Sequence, residues 1–335
     1  MDYARAQGTF VIGIDGGGTH TRVACVDLDG HYLSSASGGG GSPMHNDDAE
    51  VNVRATLARA LEDADLDPAG AAGLVAGMAG FDRPSSPTEA RYNRDVERFF
   101  EIDGMTCPGT VVNDAVIAHH GALSGHAGVI VVAGTGSMIL AINERGDEIE
   151  NGQFDHYAGA ARHLVHDVVQ RILTGESSPT DPLYSAAKAY FGVDDVHGLR
   201  EVVLQRSSAN RNDTKRSYGD FAPQVTALAE ESPLADVALR ALVARTAQGV
   251  RLLAPLVDTD PVPVACTGSL ASDPSFLRRL DQALSSGTPR RMQLVSPRLH
   301  PLGGAALLAL TLAGVDSNDT VLVALESALG ICQGE

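Results

Sequence analysis

Residues 13–22 read GIDGGGTHTR, with three consecutive glycines between an aspartate and a threonine. Three glycines in a row lose much backbone entropy when they become ordered, so the stretch is costly to fold and calls for a reason. The flanking segments, TFVIGID at 9–15 and TRVACVDLDG at 21–30, have the apolar pattern of strands. The glycines are therefore predicted to form the tip of a hairpin between two strands.

Successive glycines let backbone N–H groups converge on one point, which makes a cradle suited to phosphate. No GK[ST] follows, and the next segment is a predicted strand rather than a helix, so neither the P-loop nor the dinucleotide fingerprint applies. Asp15 can hold a hydrated Mg²⁺. The predicted phosphate contacts are Gly16, Gly17, Gly18, Thr19 and Thr21. From these residues alone, a tight hairpin without a ligand remains the alternative.

The same design returns at 128–152, which reads GVIVVAGTGSMILAINERGDEIENG. Each copy is an apolar strand, a turn of glycine and hydroxyl residues, a second strand and a polar turn. The duplication predicts two similar domains, each offering one glycine hairpin to a cleft between them. Two such hairpins favour a polyphosphate ligand, which adds these residues to the predicted contacts: Gly134, Thr135, Gly136 and Ser137.

Two further segments carry candidate site residues. Asp114 follows the apolar TVV and Asn113, which places it at the carboxyl end of a predicted strand, where ligands of open α/β sheets bind. A carboxylate there can accept the proton of an attacking hydroxyl, or it can cap the predicted helix 115–124. The segment ACTGSLASD at 265–273 places a glycine turn after the last internal strand, where a nucleoside could lie.

The other predicted elements alternate between strands and helices, as expected of an α/β protein. Segments 174–184 and 207–220 are predicted to be polar linkers. The remaining predicted strands are 31–40, 72–80, 262–268 and 291–296, and the helices are 50–66, 86–100, 158–175, 220–231, 234–257, 273–287, 303–315 and 319–332.

Composition limits the classes of function. The chain has 335 residues, which suits two domains, and its 42 acidic against 25 basic residues give a net charge of −17. A nucleic-acid partner is disfavoured, because such binding needs excess cations. No apolar run could cross a membrane and no signal peptide is evident, so no membrane partner and a cytoplasmic location are expected.

The charged residues also suggest an environment. Lys188 and Lys215 are the only lysines, and an acid-rich, lysine-poor surface fits a protein that works in high salt. A GC-rich genome would explain the scarcity of lysine but not the acidity. The cysteines are far apart and form no CxxC pair, so they are expected to be buried thiols: Cys25, Cys107, Cys266 and Cys332.

Six segments occur in a familiar order: GIDGGGTHTRVACVD, GMAGFDRP, VVNDAVIAHHGAL, VIVVAGTGSMILAI, ACTGSLASDPSFLRRL and PLGGAALLAL. In these motifs the chain resembles the BadF/BadG/BcrA/BcrD ATPase family, which includes N-acetylglucosamine kinases of the sugar kinase–actin superfamily. The resemblance implies an α/β fold of two ribonuclease-H-like (actin-like ATPase) domains around an interdomain cleft. The expected domains are 1–113, completed by a helix at about 317–333, and 114–316.

The resemblance also implies an activity. The expected enzyme is an ATP-dependent kinase that transfers the γ-phosphate to a hydroxyl of a small sugar such as N-acetylglucosamine, glucosamine or a related hexose. It implies ATP and Mg²⁺ as cofactors, with Asp15 at the metal, and a homodimer. Asp114 would be the base, Gly268 and Ser269 would contact the nucleoside, and the substrate contacts would be Asn46, Gly80, Asn113 and Asp114.

The chain departs from the family at two places. His20 stands where the family usually has lysine, and NGQFDHYAGAARHLVHD at 151–167 replaces a sugar-pocket motif like GWGxxxGDEGS. The replacement brings in Asp155, His156, Arg162, His163 and His166. The histidines could be solvated or could bind a metal, or they could join Arg162 in binding an acidic substrate. The pair His119–His120 is expected to serve helix packing.

Two rival functions stay open at this stage. The first is an ATPase that activates 2-hydroxyacyl-CoA dehydratases, whose relatives hold a [4Fe–4S] cluster with closely placed cysteines. The second is a nucleotide- or sugar-binding sensor without catalysis.

Overall fold

The computed structural model describes residues 9–82, 84, 86–134, 136–207, 217–286 and 289–331. The chain divides into two compact units. The first contains the residues up to His126 together with those from Ser296 onward, and the second is Ala127–Val295.

The first unit has a five-stranded mixed sheet. Its strands are β1 (Phe10–Gly16), β2 (His20–Asp27), β3 (Tyr32–Gly39), β4 (Ala71–Met78) and β5 (Gly109–Asn113), in the order β3-β2-β1-β4-β5. The first three strands of the chain are antiparallel neighbours, and β4 and β5 are parallel to β1.

The second unit repeats this arrangement. Its strands are β6 (Gly128–Ala133), β7 (Ser137–Ile142), β8 (Glu148–Glu150), β9 (Val262–Thr267) and β10 (Met292–Val295). Read from the other edge, the order is β8-β7-β6-β9-β10, with the same antiparallel and parallel pairs as in the first unit. The predicted duplication and the two-domain α/β fold are thus confirmed.

The α-helices used below are numbered in chain order: α1 (Ala49–Glu62), α2 (Pro87–Glu97), α3 (Asp114–Leu123), α4 (Ala161–Thr174), α5 (Pro182–Phe191), α6 (Val196–Ser207), α7 (Ala222–Ala227), α8 (Pro233–Leu253), α9 (Pro274–Leu284), α10 (Pro301–Leu312) and α11 (Asp319–Leu329). None of the described helices has both the length and the apolar character that a membrane span requires.

Helix α10 lies directly on the first sheet because the facing residues have no side chains. A Cβ atom at Gly13 of β1 would lie 2.6 Å from the backbone nitrogen of Ala306, and one at Gly73 of β4 would lie 2.7 Å from the carbonyl oxygen of Ala309. Distances this short are not tolerated, so only glycine fits at either position. The motif PLGGAALLAL therefore supplies a small-residue helix that fits closely against β1 and β4.

The boundaries of the compact units differ from the expected domain boundaries of 113/114 and 316/317. Helix α3 packs against α10, and α10 packs against β1 and β4, so both helices belong to the first unit. The chain therefore leaves this unit after His126 and returns at Ser296. Contacts between segments nearly 200 residues apart decide this division, and local sequence patterns do not reveal such contacts.

Two helices were not predicted from the sequence. Helix α5 begins inside the expected linker 174–184, with Asp181 accepting a hydrogen bond from the N–H of Leu183 at 2.8 Å. Helix α6 follows it closely. The other expected linker, 207–220, lies mostly outside the described residues.

Candidate functional site

Three carboxylates lie at one edge of the first sheet. Asp15 is in β1, Asp82 follows β4, and Asp114 begins α3 directly after β5. Parallel strands bring their carboxyl ends to the same edge, which explains why residues so far apart in sequence meet. Burial, together with the charges of Asp15 and Asp82, raises the pKa of Asp114 to about 6. Asp82 was missed in the sequence, although GFDRP follows a predicted strand.

Asn113 connects two of these carboxylates. Its side-chain oxygen accepts the N–H of Ala115 at 2.8 Å, and its amide nitrogen donates to Asp82 at 2.6 Å. Asn113 is therefore the N-cap of α3, and the alternative in which Asp114 caps this helix is wrong. The N-cap is the residue before the first helical residue, and here that residue is Asn113, with extended backbone and a side chain that reaches the N–H of Ala115. The backbone N–H groups of Asp114 and Ala115 interact with the Asp114 carboxylate and oppose the rise of its pKa.

Asp15 pairs with Arg22 across the base of the hairpin. The two residues face each other in the β1–β2 register, and Arg22 donates to Asp15 at 3.3 Å. Burial raises the pKa of Asp15, while Arg22 and His300 oppose this shift. The donor set fits Mg²⁺, which prefers oxygen ligands and usually takes one or two carboxylates along with phosphate oxygens. The oxygens of the three carboxylates do not all lie within 4.8 Å of one another. This agrees with a Mg²⁺ site in which the protein supplies only one or two of the ligands.

The first glycine hairpin is held from one side by residues 41–46. Its tip closes through the N–H of Gly17, which donates to the carbonyl of His20 at 2.9 Å. The carbonyl of Gly17 accepts two N–H groups, from Gly41 at 3.0 Å and Ser42 at 3.2 Å. The Asn46 amide donates to the Gly18 carbonyl at 2.8 Å. These bonds fix the carbonyl groups and leave the N–H of Gly18 without an acceptor among the described residues.

Other predicted residues of the first unit take structural places. Thr21 is fully buried and its hydroxyl donates to the carbonyl of Gly39 at 2.8 Å, so it ties β2 to β3 and does not fit the predicted phosphate contact. Thr19 and His20 are exposed and in contact with each other, at 3.0 Å between hydroxyl and ring nitrogen. Gly80 has a φ of +83°, which favours glycine.

The second glycine hairpin lies against the predicted nucleoside turn within its own unit. The N–H of Gly134 donates to the carbonyl of Gly136 at 3.0 Å, while Thr135 lies outside the described residues. Gly268 has a φ of +99°, and a Cβ there would lie 2.7 Å from the Ala133 carbonyl. Ser269 is close to Gly134. Predicted phosphate and nucleoside contacts are thus brought together.

Ser137 differs from Thr21, its counterpart at the hairpin base. Thr21 pairs with Gly16 in the first unit, and Ser137 pairs with Ala133 in the second. The Ser137 hydroxyl oxygen is buried and has no hydrogen-bond partner among the described residues. A buried hydroxyl without a partner is costly, and a ligand oxygen could satisfy it.

Segment 151–167 forms a compact polar structure. Asn151 accepts the N–H of Ile139 at 2.9 Å and donates to the carbonyl of His156 at 3.0 Å, which anchors the segment to β7. Asp155 turns the chain with a φ of +52°. His163 and His166 belong to no group of candidate metal ligands among the described residues, where such a group occurs only at an exposed turn, Asp27, Asp29 and His31.

The histidine pair of α3 serves packing, at least in part. His119 is fully buried. Burial, aided by His119, lowers the pKa of His120 to about 3, so its ring is neutral in the folded chain. Of the expected buried thiols, Cys25 and Cys266 are buried, Cys107 is half-buried, and Cys332 lies outside the described residues.

Comparison with known proteins agrees with this arrangement. The model of the BadF/BadG/BcrA/BcrD ATPase family matches residues 12–309. The chain is 25% identical over 225 residues to the glucosamine kinase GspK of Vibrio cholerae, covering 64% of this chain and 70% of that protein. It is 29% identical over 158 residues to the N-acetylmuramic acid/N-acetylglucosamine kinase of Clostridium acetobutylicum, covering 45% and 48% of the two chains.

A solved structure shares the fold over nearly its whole length. It is that of a protein from Chromobacterium violaceum assigned as an N-acetylglucosamine kinase. The TM-score is 0.68 at 26% identity, covering 91% of this chain and 99% of the other.

Proposed function

Because the chain belongs to the BadF/BadG/BcrA/BcrD ATPase family, as its motifs predicted, we propose that it is an ATP-dependent sugar kinase. The proposed acceptor is a hydroxyl of an amino sugar, namely N-acetylglucosamine, glucosamine or a related hexose. The relatives support this class, since they are named as kinases of glucosamine, N-acetylglucosamine and N-acetylmuramic acid. The observation that carries the mechanism is the group of Asp15, Asp82 and Asp114 at one sheet edge.

Asp114 is the proposed catalytic base. The acceptor oxygen attacks the γ-phosphorus, the bond from that phosphorus to the β,γ-bridging oxygen breaks, and ADP leaves. The proton of the attacking hydroxyl passes to the Asp114 carboxylate and then to water. A base whose pKa is about 6 is largely ionised at neutral pH, yet basic enough to take this proton. Asn113 orients the start of α3 and thereby the carboxylate.

The other predicted site residues have proposed binding roles. Gly16–Thr19, Gly134, Gly136 and Ser137 bind phosphate, largely through backbone N–H groups, and Gly268 and Ser269 contact the nucleoside. Asp15 is the proposed holder of Mg²⁺, which, when bound, neutralises charge on the phosphates. Asn46 holds the glycine tip, so its effect on substrate would be exerted through Gly18.

The dehydratase-activator function receives no support from the cysteines. Among the described residues, no cysteine belongs to a group of candidate metal ligands. Asp114 and its partners also suit transfer to an acceptor better than a sensor without catalysis, because burying a carboxylate beside two others is costly. A homodimer, a cytoplasmic location and a need for high salt are retained as proposals from the sequence.

The decisive experiment measures ADP formation by chromatography, at low and at molar KCl, with glucosamine, N-acetylglucosamine, N-acetylmuramic acid, glucose or no acceptor. ADP that forms only with an amino sugar, together with a phosphorylated sugar in equal amount, is the expected result. ADP formation that does not depend on any acceptor would instead favour an ATPase. The Asp114→Ala variant, purified identically, controls for contaminating kinases.

A further inference from the structure

The proposed kinase mechanism does not use a cluster of cationic and aromatic side chains in the second unit. Arg162, His163 and His166 lie in the first turns of α4, and Arg245 lies in α8. Burial, together with the charges of Arg162, Arg245 and His166, lowers the pKa of His163 to about 4. These groups therefore lie near one another in the second unit. His163 is neutral at neutral pH, so the two arginines supply the lasting positive charge.

The hydrogen bonds of His163 fix its tautomer. Its Nδ1 accepts the N–H of Ala160 at 3.0 Å, so the proton of the neutral ring is on Nε2. Nε2 lies 3.0 Å from the Tyr157 hydroxyl oxygen and therefore donates to it. Arg162 also donates to this oxygen, at 3.4 Å. With its oxygen accepting two hydrogen bonds, the Tyr157 hydroxyl keeps its own proton for a further acceptor.

One N–H group of the Arg162 guanidinium lacks an acceptor. Its Nε is buried and has no hydrogen-bond partner among the described residues. Among the described residues, neither Arg162 nor Arg245 has a carboxylate within salt-bridge distance. This is notable in a chain whose acidic residues outnumber its basic ones by 42 to 25. By contrast, Arg171 at the other end of α4 pairs with both Asp167 and Glu176. A buried guanidinium N–H without an acceptor points to an acceptor on a ligand.

The position of the cluster adds to this argument. Helix α4 begins at Ala161, whose N–H donates to the carbonyl of Gly134 in the second glycine hairpin at 3.1 Å. The cluster is therefore adjacent in its unit to a proposed phosphate-binding turn. The positive end of the α4 dipole adds to the attraction for an anion.

We propose that Tyr157, Arg162 and Arg245 bind an oxyanion, a carboxylate or phosphate group on a small-molecule ligand of the proposed kinase. The planar guanidinium fork of arginine matches the oxygens of either group. Two ligands of a kinase could carry the oxyanion: an acidic sugar that accepts the phosphoryl group, or the nucleotide. The inference rests on the proposed function for its ligands, but binding can be measured without turnover.

Calorimetry on the whole chain distinguishes the sources. N-acetylmuramic acid and N-acetylglucosamine differ by a carboxylate-bearing ether, so they form one pair of probes, and ATP and AMP form the other. If the acceptor carries the anion, Arg162→Gln should weaken the binding of N-acetylmuramic acid about tenfold or more. The affinity for N-acetylglucosamine should then change little. If the nucleotide carries it, ATP binding should fall similarly while AMP binding changes less. Either result supports the site.

Arg145→Gln is the matched control, since it removes an exposed charge from the same unit and should alter no affinity more than about twofold. Arg245→Gln, at an exposed position, provides a second variant should Arg162→Gln fail to fold. Unchanged affinity for every probe in both Arg162→Gln and Arg245→Gln would overturn the anion site. Absence of turnover with all acceptors, with anion binding intact, would overturn the kinase proposal alone.

Discussion

Asp15 faces Arg22 across the base of the first glycine hairpin, whereas the corresponding pair in the second unit is Val132 and Met138. The backbones around the two pairs are alike. After β4, the N–H of Ala79 donates to the Gly16 carbonyl at 2.9 Å. After β9, the N–H groups of Leu270 and Ala271 donate to the Ala133 carbonyl at 3.1 and 3.0 Å. The units therefore share a backbone design and differ in side chains.

The difference separates two kinds of chemistry. The first unit buries carboxylates, which can hold a cation and accept a proton, and it bears the cost of desolvating them. The second unit has Val132 and Met138 in place of Asp15 and Arg22, and it offers backbone N–H groups and hydroxyls. A duplicated fold can thus assign proton and metal chemistry to one copy while the other copy binds by its main chain. The following predictions test this assignment, starting with the largest effect.

Asp114→Ala should reduce phosphoryl transfer by about 10³-fold while leaving ATP affinity within a few-fold, because it removes the proposed base and no phosphate contact. Single-turnover rates and nucleotide titrations measure the two quantities. Asp319→Ala is a matched control: Asp319 begins α11 directly after the capping Asn318, as Asp114 follows Asn113, but it is exposed. Equal rates in the two variants would remove Asp114 from the mechanism.

Gly268→Ala should destabilise the chain by about 3 kcal/mol and weaken ATP binding. Its φ is +99°, and the new Cβ would meet the backbone of Ala133 at 2.7 Å. Gly80→Ala, in the turn that follows β4 of the first unit, should cost only about 1–2 kcal/mol, because the Cβ would meet the exposed, flexible side chain of Met44. Thermal unfolding with and without ATP measures both effects, and a reversed order would contradict the packing argument at Gly268.

Asp114→Asn should stabilise the chain at neutral pH by on the order of 2 kcal/mol, although it abolishes catalysis. The pKa of Asp114 is about 6 in the folded chain against an ordinary value of 3.8, so folding favours the protonated form. Stability is therefore lost as pH rises from about 4 to 6, and an amide escapes this loss. Unfolding curves at pH 4 and pH 7.5 should show the gain only at pH 7.5, and Asp319→Asn should show none.

Thr21→Val and Ser137→Ala should have opposite effects at equivalent positions. The valine leaves the Gly39 carbonyl without its donor, so the chain should lose about 1 kcal/mol of stability. Its affinity for ATP should not change. The alanine removes a hydroxyl without a partner among the described residues, so stability should change little while ATP affinity falls a few-fold. Urea unfolding and nucleotide titration compare the two, and an unchanged ATP affinity in Ser137→Ala would argue against a phosphate contact there.

Much of this molecule follows from local sequence patterns. The two glycine hairpins, the order of strands and helices around them and the family membership all depend on residues close together in the chain. Helix-capping signals are equally local. Ser86 accepts the N–H of Glu89 at 3.2 Å, and Asp273 accepts the N–H of Ser275 at 2.8 Å. The sequence predicted that helices α2 and α9 start at these two residues. Periodicity and capping act over a few residues, so a single sequence determines them.

The burial of Thr21, the place of Asp82 and the limits of the compact units were decided by the tertiary structure. Asp82 meets Asn113 because β4 and β5 are neighbours, and Thr21 is buried because β3 supplies the acceptor for its hydroxyl. In each case the partner lies 18 or more residues away. Nothing local distinguishes a hydroxyl that faces a ligand from one that faces a neighbouring strand, because the packing of distant segments fixes which atoms lie opposite it.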